Sequence, residues 1–186
     1  MAQSVKGLTL RSRVAFVKHT YGSEGMTRLV PNLKGQAREL MASPTTINSS
    51  GWYDFDVQLE IDRAICKVLA KGDASIYLAM GAYSADFQIS KEDTSSPEDL
   101  RRFLKLQMTM FSHYFKPGTV EMVTVSDNEV LIRIKGFASV RENCDTNMGF
   151  LKRSIELRGA EGVTIDEPNC SQDPTAGVCE YRLRWK

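Results

Sequence analysis

The stretch TVEMVTVSDNEVLIRIK, residues 119–135, determines the predicted fold of this chain. Both ends of the stretch are rich in Val and Ile and alternate in polarity, and the turn-forming residues 126–128 separate them. In the second half of the stretch, Val130, Ile132 and Ile134 share one face, while polar residues alternate with them. The stretch therefore predicts a β-hairpin with one face packed inward and the other partly solvated.

The residues that follow this hairpin predict one more helix and two more strands. Apolar residues at helical spacing extend over 148–157 and stop before Gly159, which is typical of a helix end. Segments 163–166 and 179–185 have the composition of short strands. The carboxy-terminal half is therefore predicted as strand, strand, helix, strand, strand.

The amino-terminal half has the apolar spacing of three and four residues that is typical of helices. We predict helices over 8–29 (broken near Gly22), 36–41, 54–69, 73–89 and 100–115. Helices that precede a small antiparallel sheet indicate an α+β fold, with an N-terminal helical layer packed on a C-terminal four-stranded antiparallel sheet. Neither half alone would bury a sufficient core, so we expect residues 1–186 to form a single domain, with 90–96 as the best alternative boundary.

The charge and hydropathy of the chain exclude several classes of function. Its 24 Lys and Arg residues against 23 Asp and Glu give a formal charge of +1, which provides no electrostatic reason to expect a nucleic-acid partner. No apolar run approaches the roughly 18 residues that span a bilayer, so we expect a cytoplasmic protein. The motifs of nucleophile elbows, P-loops, zincins and dinucleotide folds do not occur, and we expect the protein not to be an enzyme.

Charged residues within the predicted helices are expected on solvated faces. The carboxylates of 54–56 and 60–62 and the cations Arg11, Arg13 and Lys18 occur at the spacing of surface salt bridges. We therefore assign them no part in a site.

Three of the four cysteines lie in the last quarter of the chain. Cys66 lies on the apolar side of a predicted helix and is expected to be a small buried residue. Packing of the last helix against the last hairpin could bring Cys144, Cys170 and Cys179 to one corner, where Glu167 could complete a tetrahedral zinc site. The chain has no Cys-x-x-Cys pair, so ordinary reduced thiols are the alternative.

The carboxy-terminal segment follows a pattern known from one superfamily. Cys144 is followed by a Gly-containing helix and a strand, and Cys170 and Cys179 enclose Asp173-Pro174. This order resembles the closing motif of the four-vinyl-reductase domain superfamily. Here, however, the segment between the last two cysteines is slightly longer than in the motif and has Gln172 where Gly is usual.

The amino-terminal half extends this resemblance over nearly the whole chain. Residues 6–25 and Trp52-Tyr53 are similar to a group of uncharacterised, largely myxobacterial proteins related to the same superfamily. The resemblance implies a fold shared with haem-dependent nitric-oxide sensors and vesicle-tethering subunits. It also implies that the protein binds a small apolar or aromatic molecule or a partner protein, and that it forms a homodimer.

The resemblance also implies a ligand set for one structural Zn²⁺. Aromatic-sensing regulators of the superfamily hold zinc through cysteines and an acid, at positions that match Cys144, Glu167, Cys170 and Cys179. The longer final loop leaves Asp173 or Glu142 as alternatives to Glu167.

The same resemblance raises the question of haem, and the sequence argues against it. The chain has only His19 and His113, and His113 lies nearer the end of its helix than the iron ligand of the nitric-oxide sensors. The Tyr-x-Ser-x-Arg motif of those sensors is replaced by the residues of 132–137.

Aromatic and Met residues of the predicted helices could line an adaptable apolar pocket, although core packing is the alternative. The candidate ligand-binding residues are Tyr77, Met80, Tyr83, Phe103, Met108 and Phe111. We therefore expect a non-enzymatic regulatory or sensory module that binds a small apolar or aromatic ligand in its helical layer. The alternative is a dimerisation or protein-interaction scaffold without a ligand.

Overall fold

The computed structural model of the chain describes residues 2–89, 96–137, 140–170 and 177–186. In the helical half the elements are β1 (Ser4–Lys6), α1 (Gly7–Leu29), α2 (Gly35–Ala42), β2 (Trp52–Asp54), α3 (Phe55–Ala64) with a π-helical continuation (Ile65–Leu69), and α4 (Ser75–Gln88). The remaining elements are α5 (Pro97–Thr109), α6 (Phe111–Tyr114), β3 (Phe115–Lys116), β4 (Thr119–Ser126), β5 (Glu129–Lys135), α7 (Arg141–Glu156), β6 (Thr164–Asn169) and β7 (Cys179–Arg184).

The predicted four-stranded sheet is present, in the order β4-β5-β7-β6, and every neighbouring pair is antiparallel. Val130, Ile132 and Ile134 of β5 are buried, as the alternation in their strand predicts. The register pairs Ile132 with Tyr181 and Ile134 with Cys179 on the neighbouring strand. With α7 connecting the two hairpins, the predicted α+β fold is confirmed.

The helical layer has its own apolar core, formed mainly by α1, α2, α3 and α4. Helix α1 breaks at Gly22, whose φ of +66° lies in the left-handed region, and this agrees with the predicted interruption. A second sheet, in the order β2-β1-β3, was not predicted. Its strands have only two or three residues, which is too short for a pattern of alternating polarity to show.

Helix α7 joins the helical layer to the large sheet. It crosses α4 with the two backbones in contact, because a Cβ on Gly81 would lie 1.9 Å from the Thr146 carbonyl oxygen and one on Gly149 would lie 2.0 Å from that of Leu78. The helix begins at Arg141, seven residues before the predicted start, so Cys144 lies within it and not before it. The first turns lack apolar periodicity, although Asn143, Cys144 and Thr146 are all buried there.

In the described ranges, no helix combines the length and the hydrophobicity that a bilayer span requires. The assignment of residues 1–186 to one domain stays a prediction. Of the alternative boundary, residues 90–95 lie outside the described residues.

Candidate functional site

A cavity of about 90 Å³ lies between the helical layer and the carboxy-terminal half, and we call it the interlayer cavity. Its lining from the helical layer is largely polar, whereas that from α5, α6 and the strands is largely apolar. The lining residues are Thr9, Ser12, Arg13, Gln58, Ser84, Gln88, Gln107, Met108, Phe111, Tyr114, Phe115, Val120, Ile132, Ile134, Asn143, Thr146, Asn147, Phe150 and Leu151.

One residue of the polar lining, Arg13, belongs to a buried ion pair with Asp62. Arg13 Nε donates to Asp62 Oδ1 at 2.6 Å, and Arg13 Nη2 donates to Asp62 Oδ2 at 3.1 Å. Arg13 Nη1 also donates to Ser84 Oγ at 2.9 Å, so the network connects α1, α3 and α4. Because the guanidinium and the carboxylate are both buried, they compensate each other's charge.

This ion pair corrects the expectation that Arg13 and Asp62 face solvent. Arg13 follows Leu10 by three residues and Asp62 follows Leu59 by three, so both occupy positions on the apolar side of their helices. A charged residue at an apolar helical position was the signal that could have identified this network. Such a residue is buried only with a partner.

The predicted ligand-binding residues do not all meet at one place. Met108 and Phe111 line the interlayer cavity. Tyr77 and Met80 lie in the core of the helical layer, against which Tyr83 packs. Phe103 packs beside the sheet core, with the Arg158 guanidinium 4.5 Å from its ring centroid.

The residues predicted as metal ligands do meet. The ligand atoms of Cys144, Glu167, Cys170 and Cys179 all lie within 4.8 Å of one another, and we call these residues the cysteine cluster. Cys144 Sγ lies 3.7 Å from Cys170 Sγ and 3.9 Å from Cys179 Sγ. Metal–sulfur bonds of about 2.3 Å in a tetrahedron place sulfurs about 3.8 Å apart, whereas a disulfide brings them to about 2 Å.

Neither alternative to Glu167 as the fourth metal ligand, Glu142 or Asp173, is seen in the cluster among the described residues. Glu142 accepts a hydrogen bond from Arg63 Nε at 2.7 Å and forms an ion pair there. Asp173 lies outside the described residues.

Burial and mutual hydrogen bonding favour the protonated form of the cysteine cluster. The hydrogen bond with Cys179 and burial raise the pKa of the Cys144 thiol. Burial raises the pKa of Glu167, against the lowering effect of its hydrogen bonds with the Cys144 and Cys170 thiols, and its Oε2 accepts from Arg141 Nη1 at 2.9 Å. Since cysteine binds metal as the thiolate, any ion that enters must displace these protons.

Comparison of the whole chain with solved structures gives one consistent result. It is similar to an H-NOX protein from S. oneidensis in the Fe(II)NO ligation state, with a TM-score of 0.68, 15% identity, and coverage of 97% of this chain and 99% of that one. For the Fe(II) unliganded H-NOX protein from K. algicida the TM-score is 0.60 and the identity 12%, with coverage of 97% of this chain and 96% of that one. For an oxygen-binding H-NOX domain related to soluble guanylate cyclases the TM-score is 0.66 and the identity 15%, with coverage of 97% of this chain and 95% of that one.

The fold is that of the H-NOX proteins. The resemblance to the haem-NO-binding superfamily is confirmed at the level of fold, whereas the link to a myxobacterial group is not shown. No protein-family model matches the chain. No curated protein matches it either.

The H-NOX structures also correct the cofactor prediction. One of the matched structures concerns haem redox potential and porphyrin distortion, and others carry Fe(II) with a bound gas. The prediction of zinc as the cofactor, with haem set aside, is therefore wrong for this fold. It rested on the position of His113 and on a short strand motif, whereas the match to the H-NOX structures extends over 97% of this chain.

The residues of this chain meet only part of what haem requires. Met108 and Tyr114 line the interlayer cavity and belong to residue types that ligate haem iron. His19 and His113 are both exposed and do not line it. Cofactor sites have volumes of about 300–1,000 Å³, so the cavity as it stands does not fit a haem. Holding one would require a larger cavity and an iron ligand other than histidine.

Proposed function

We propose that this chain is a non-enzymatic sensory module with the H-NOX fold and that the interlayer cavity is its ligand site. The observation that carries the proposal is the cavity itself, which is lined from both halves of the molecule. H-NOX domains are sensor domains and not enzymes themselves, which supports this class of function. Interiors are otherwise close-packed, so a ligand here changes how the two halves pack.

The ligand proposed here differs in position from the sequence-based expectation. An apolar or aromatic ligand was expected within the helical layer, whereas the cavity lies between that layer and the carboxy-terminal half. One wall carries Arg13, whose charge Asp62 compensates, and hydroxyl groups, and the opposite wall carries aromatic and aliphatic side chains. This lining suits a small molecule with an apolar body and a polar group.

Signalling then follows from differential packing. A ligand that contacts Arg13 and Ser84 on one wall and Phe111 and Ile132 on the other stabilises the arrangement of halves that best fits it. Only a difference in affinity between two arrangements shifts their populations. A ligand that touches both walls has such a difference, because it makes both sets of contacts in only one arrangement of the halves.

Native mass spectrometry and absorption spectroscopy of protein purified from its own host test this proposal. We expect the mass of the chain plus one noncovalently bound small molecule. A Soret band would support the sensory function and identify haem as the ligand, in an enlarged cavity. A homogeneous ligand-free mass, together with no thermal shift from a panel of small alcohols, amides and aromatics, would overturn the proposal.

We further propose that the cysteine cluster binds one thiolate-binding metal ion as a closed structural site. Four ligand atoms within 4.8 Å and sulfur separations near those of a tetrahedral edge support it. Elemental analysis of protein prepared without chelator identifies the metal. Less than about one tenth of an equivalent of any transition metal would overturn the site.

The expected homodimer, the cytoplasmic location and the lack of a nucleic-acid partner stay predictions, as does the alternative function of a scaffold without a ligand. Light scattering over a range of concentrations distinguishes monomer from dimer. A ligand-free protein that is dimeric at all concentrations would favour the scaffold.

A further inference from the structure

One acceptor in the wall of the interlayer cavity is buried without a partner. Gln58 of α3 lines the cavity and is 2% exposed. Its Oε1 has no hydrogen-bond partner in the described part of the chain. A buried carbonyl oxygen without a hydrogen-bond partner is destabilising, and native proteins rarely leave one without a reason.

Two threonine hydroxyl groups of the cavity lining donate to backbone carbonyl oxygens and not into the cavity. Thr9 Oγ1 donates to the Lys6 carbonyl oxygen at 2.7 Å, and Thr146 Oγ1 donates to that of Glu142 at 2.9 Å. A hydroxyl has one proton, so these two oxygens have only lone pairs left to offer. This part of the wall therefore favours a ligand that donates a hydrogen bond.

The charges of the wall favour a neutral ligand. Each nitrogen of the Arg13 guanidinium already donates to Asp62 or Ser84. Because Asp62 compensates the Arg13 charge, a charged ligand would lose its hydration without gaining a counter-ion.

The volume and the opposite wall limit the ligand further. An engineered apolar cavity of about 150 Å³ takes up benzene, so about 90 Å³ suits a smaller molecule. Phe111, Ile132 and Leu151 give the opposite wall an apolar surface for its body.

We propose that Gln58 selects the ligand: the interlayer cavity binds a small neutral molecule that donates an N–H or O–H hydrogen bond to Gln58 Oε1. This assignment rests on the proposed function, in which the cavity is the ligand site. It makes Gln58 the residue that distinguishes a donor from an isosteric acceptor.

Pyrrole and furan form a matched pair of probes for this selection. Both are five-membered aromatic rings, but pyrrole has an N–H donor and furan has only an acceptor oxygen. Titrations followed by methyl NMR of Ile132, Ile134 and Leu151 report binding in the cavity. We expect pyrrole to bind about tenfold more tightly than furan, as one hydrogen bond allows.

The variant Gln58→Met keeps an unbranched side chain and removes the acceptor. We expect it to weaken pyrrole binding about tenfold and to leave furan binding unchanged. Gln36→Met, at an exposed position of α2, is the matched control and leaves both affinities unchanged.

The outcomes separate this inference from the proposed function. Equal affinities for pyrrole and furan, with shifts at the cavity methyls, overturn selection by Gln58 and leave the cavity as a ligand site. No shift from either probe overturns selection by Gln58, and the native mass spectrum of the protein from its own host then decides whether the cavity is a ligand site. If Gln58→Met does not fold, the comparison of the two probes in the unmodified protein still decides between these outcomes.

Discussion

At the scale of single residues, the Arg13–Asp62 pair fixes the polar wall of the interlayer cavity. Two hydrogen bonds join the Arg13 guanidinium to the Asp62 carboxylate, and Arg13 Nη1 donates a third to Ser84 Oγ. Removing one partner leaves the other charge buried and uncompensated, which is far more costly than replacing both.

We predict that Asp62→Leu lowers the free energy of unfolding by about 3–5 kcal/mol. Arg13→Met combined with Asp62→Leu should restore most of this loss, because no charge is then left buried. Urea unfolding followed by circular dichroism measures both effects. A single variant within about 1 kcal/mol of the unmodified protein would show that the pair is solvated.

A second residue-scale prediction concerns the cysteine cluster. Cys170→Ser should reduce bound metal below about a tenth of an equivalent and lower the melting temperature by about 5 °C, because binding of a structural metal is itself folding free energy. Elemental analysis and calorimetry measure these quantities. Cys66→Ser is the control, since Cys66 lies in the core of the helical layer, away from the cluster. Equal metal content in both variants would contradict the assignment.

The two residue sets differ in how far the sequence predicts them. Cys144, Glu167, Cys170 and Cys179 form a recognisable motif, and the structure brings their ligand atoms together. Ser12, Gln58 and Ser84 carry no such signal, because a buried polar side chain looks like a surface one until its neighbours are known. Their role in the cavity emerges only when α1, α3 and α4 are assembled.

At the scale of elements, the crossing of α4 and α7 holds the two halves together. Gly81 and Gly149 allow the two backbones to touch, and a side chain on either glycine would overlap a carbonyl oxygen of the other helix. Helical periodicity predicts both helices but does not predict their crossing point. The early start of α7 was missed for a similar reason, since tertiary burial of Asn143 and Cys144 replaces the apolar pattern there.

Gly81→Ala tests this contact. The new Cβ would lie 1.9 Å from the Thr146 carbonyl oxygen, so the helices must separate, and we expect a loss of about 3 kcal/mol or more in the free energy of unfolding. Ala79→Ser, at an exposed position of the same helix, should change it by less than about 0.5 kcal/mol. Denaturant unfolding of the two variants makes the comparison, and equal stabilities would show that α4 and α7 can separate without cost.

At the scale of the whole molecule, α7 connects the two candidate sites. Asn143 and Thr146 line the interlayer cavity, while Cys144 between them belongs to the cysteine cluster. The cluster ties this end of α7 to β6 and β7, and the cavity lies where α7 meets the helical layer. A metal ion in the cluster would therefore stiffen one wall of the ligand site.

Filling the cavity tests whether it acts as the ligand site of the whole molecule. Val120 of β4 lines the cavity, whereas Val125 of the same strand is 51% exposed. Val120→Phe should place a ring in the space and remove the ligand that copurifies from the host, at a cost of about 1–3 kcal/mol in stability. Val125→Phe should keep the ligand, because its added ring stays in solvent. Native mass spectrometry of both variants gives the occupancy, and full occupancy of Val120→Phe would place the ligand elsewhere in the molecule.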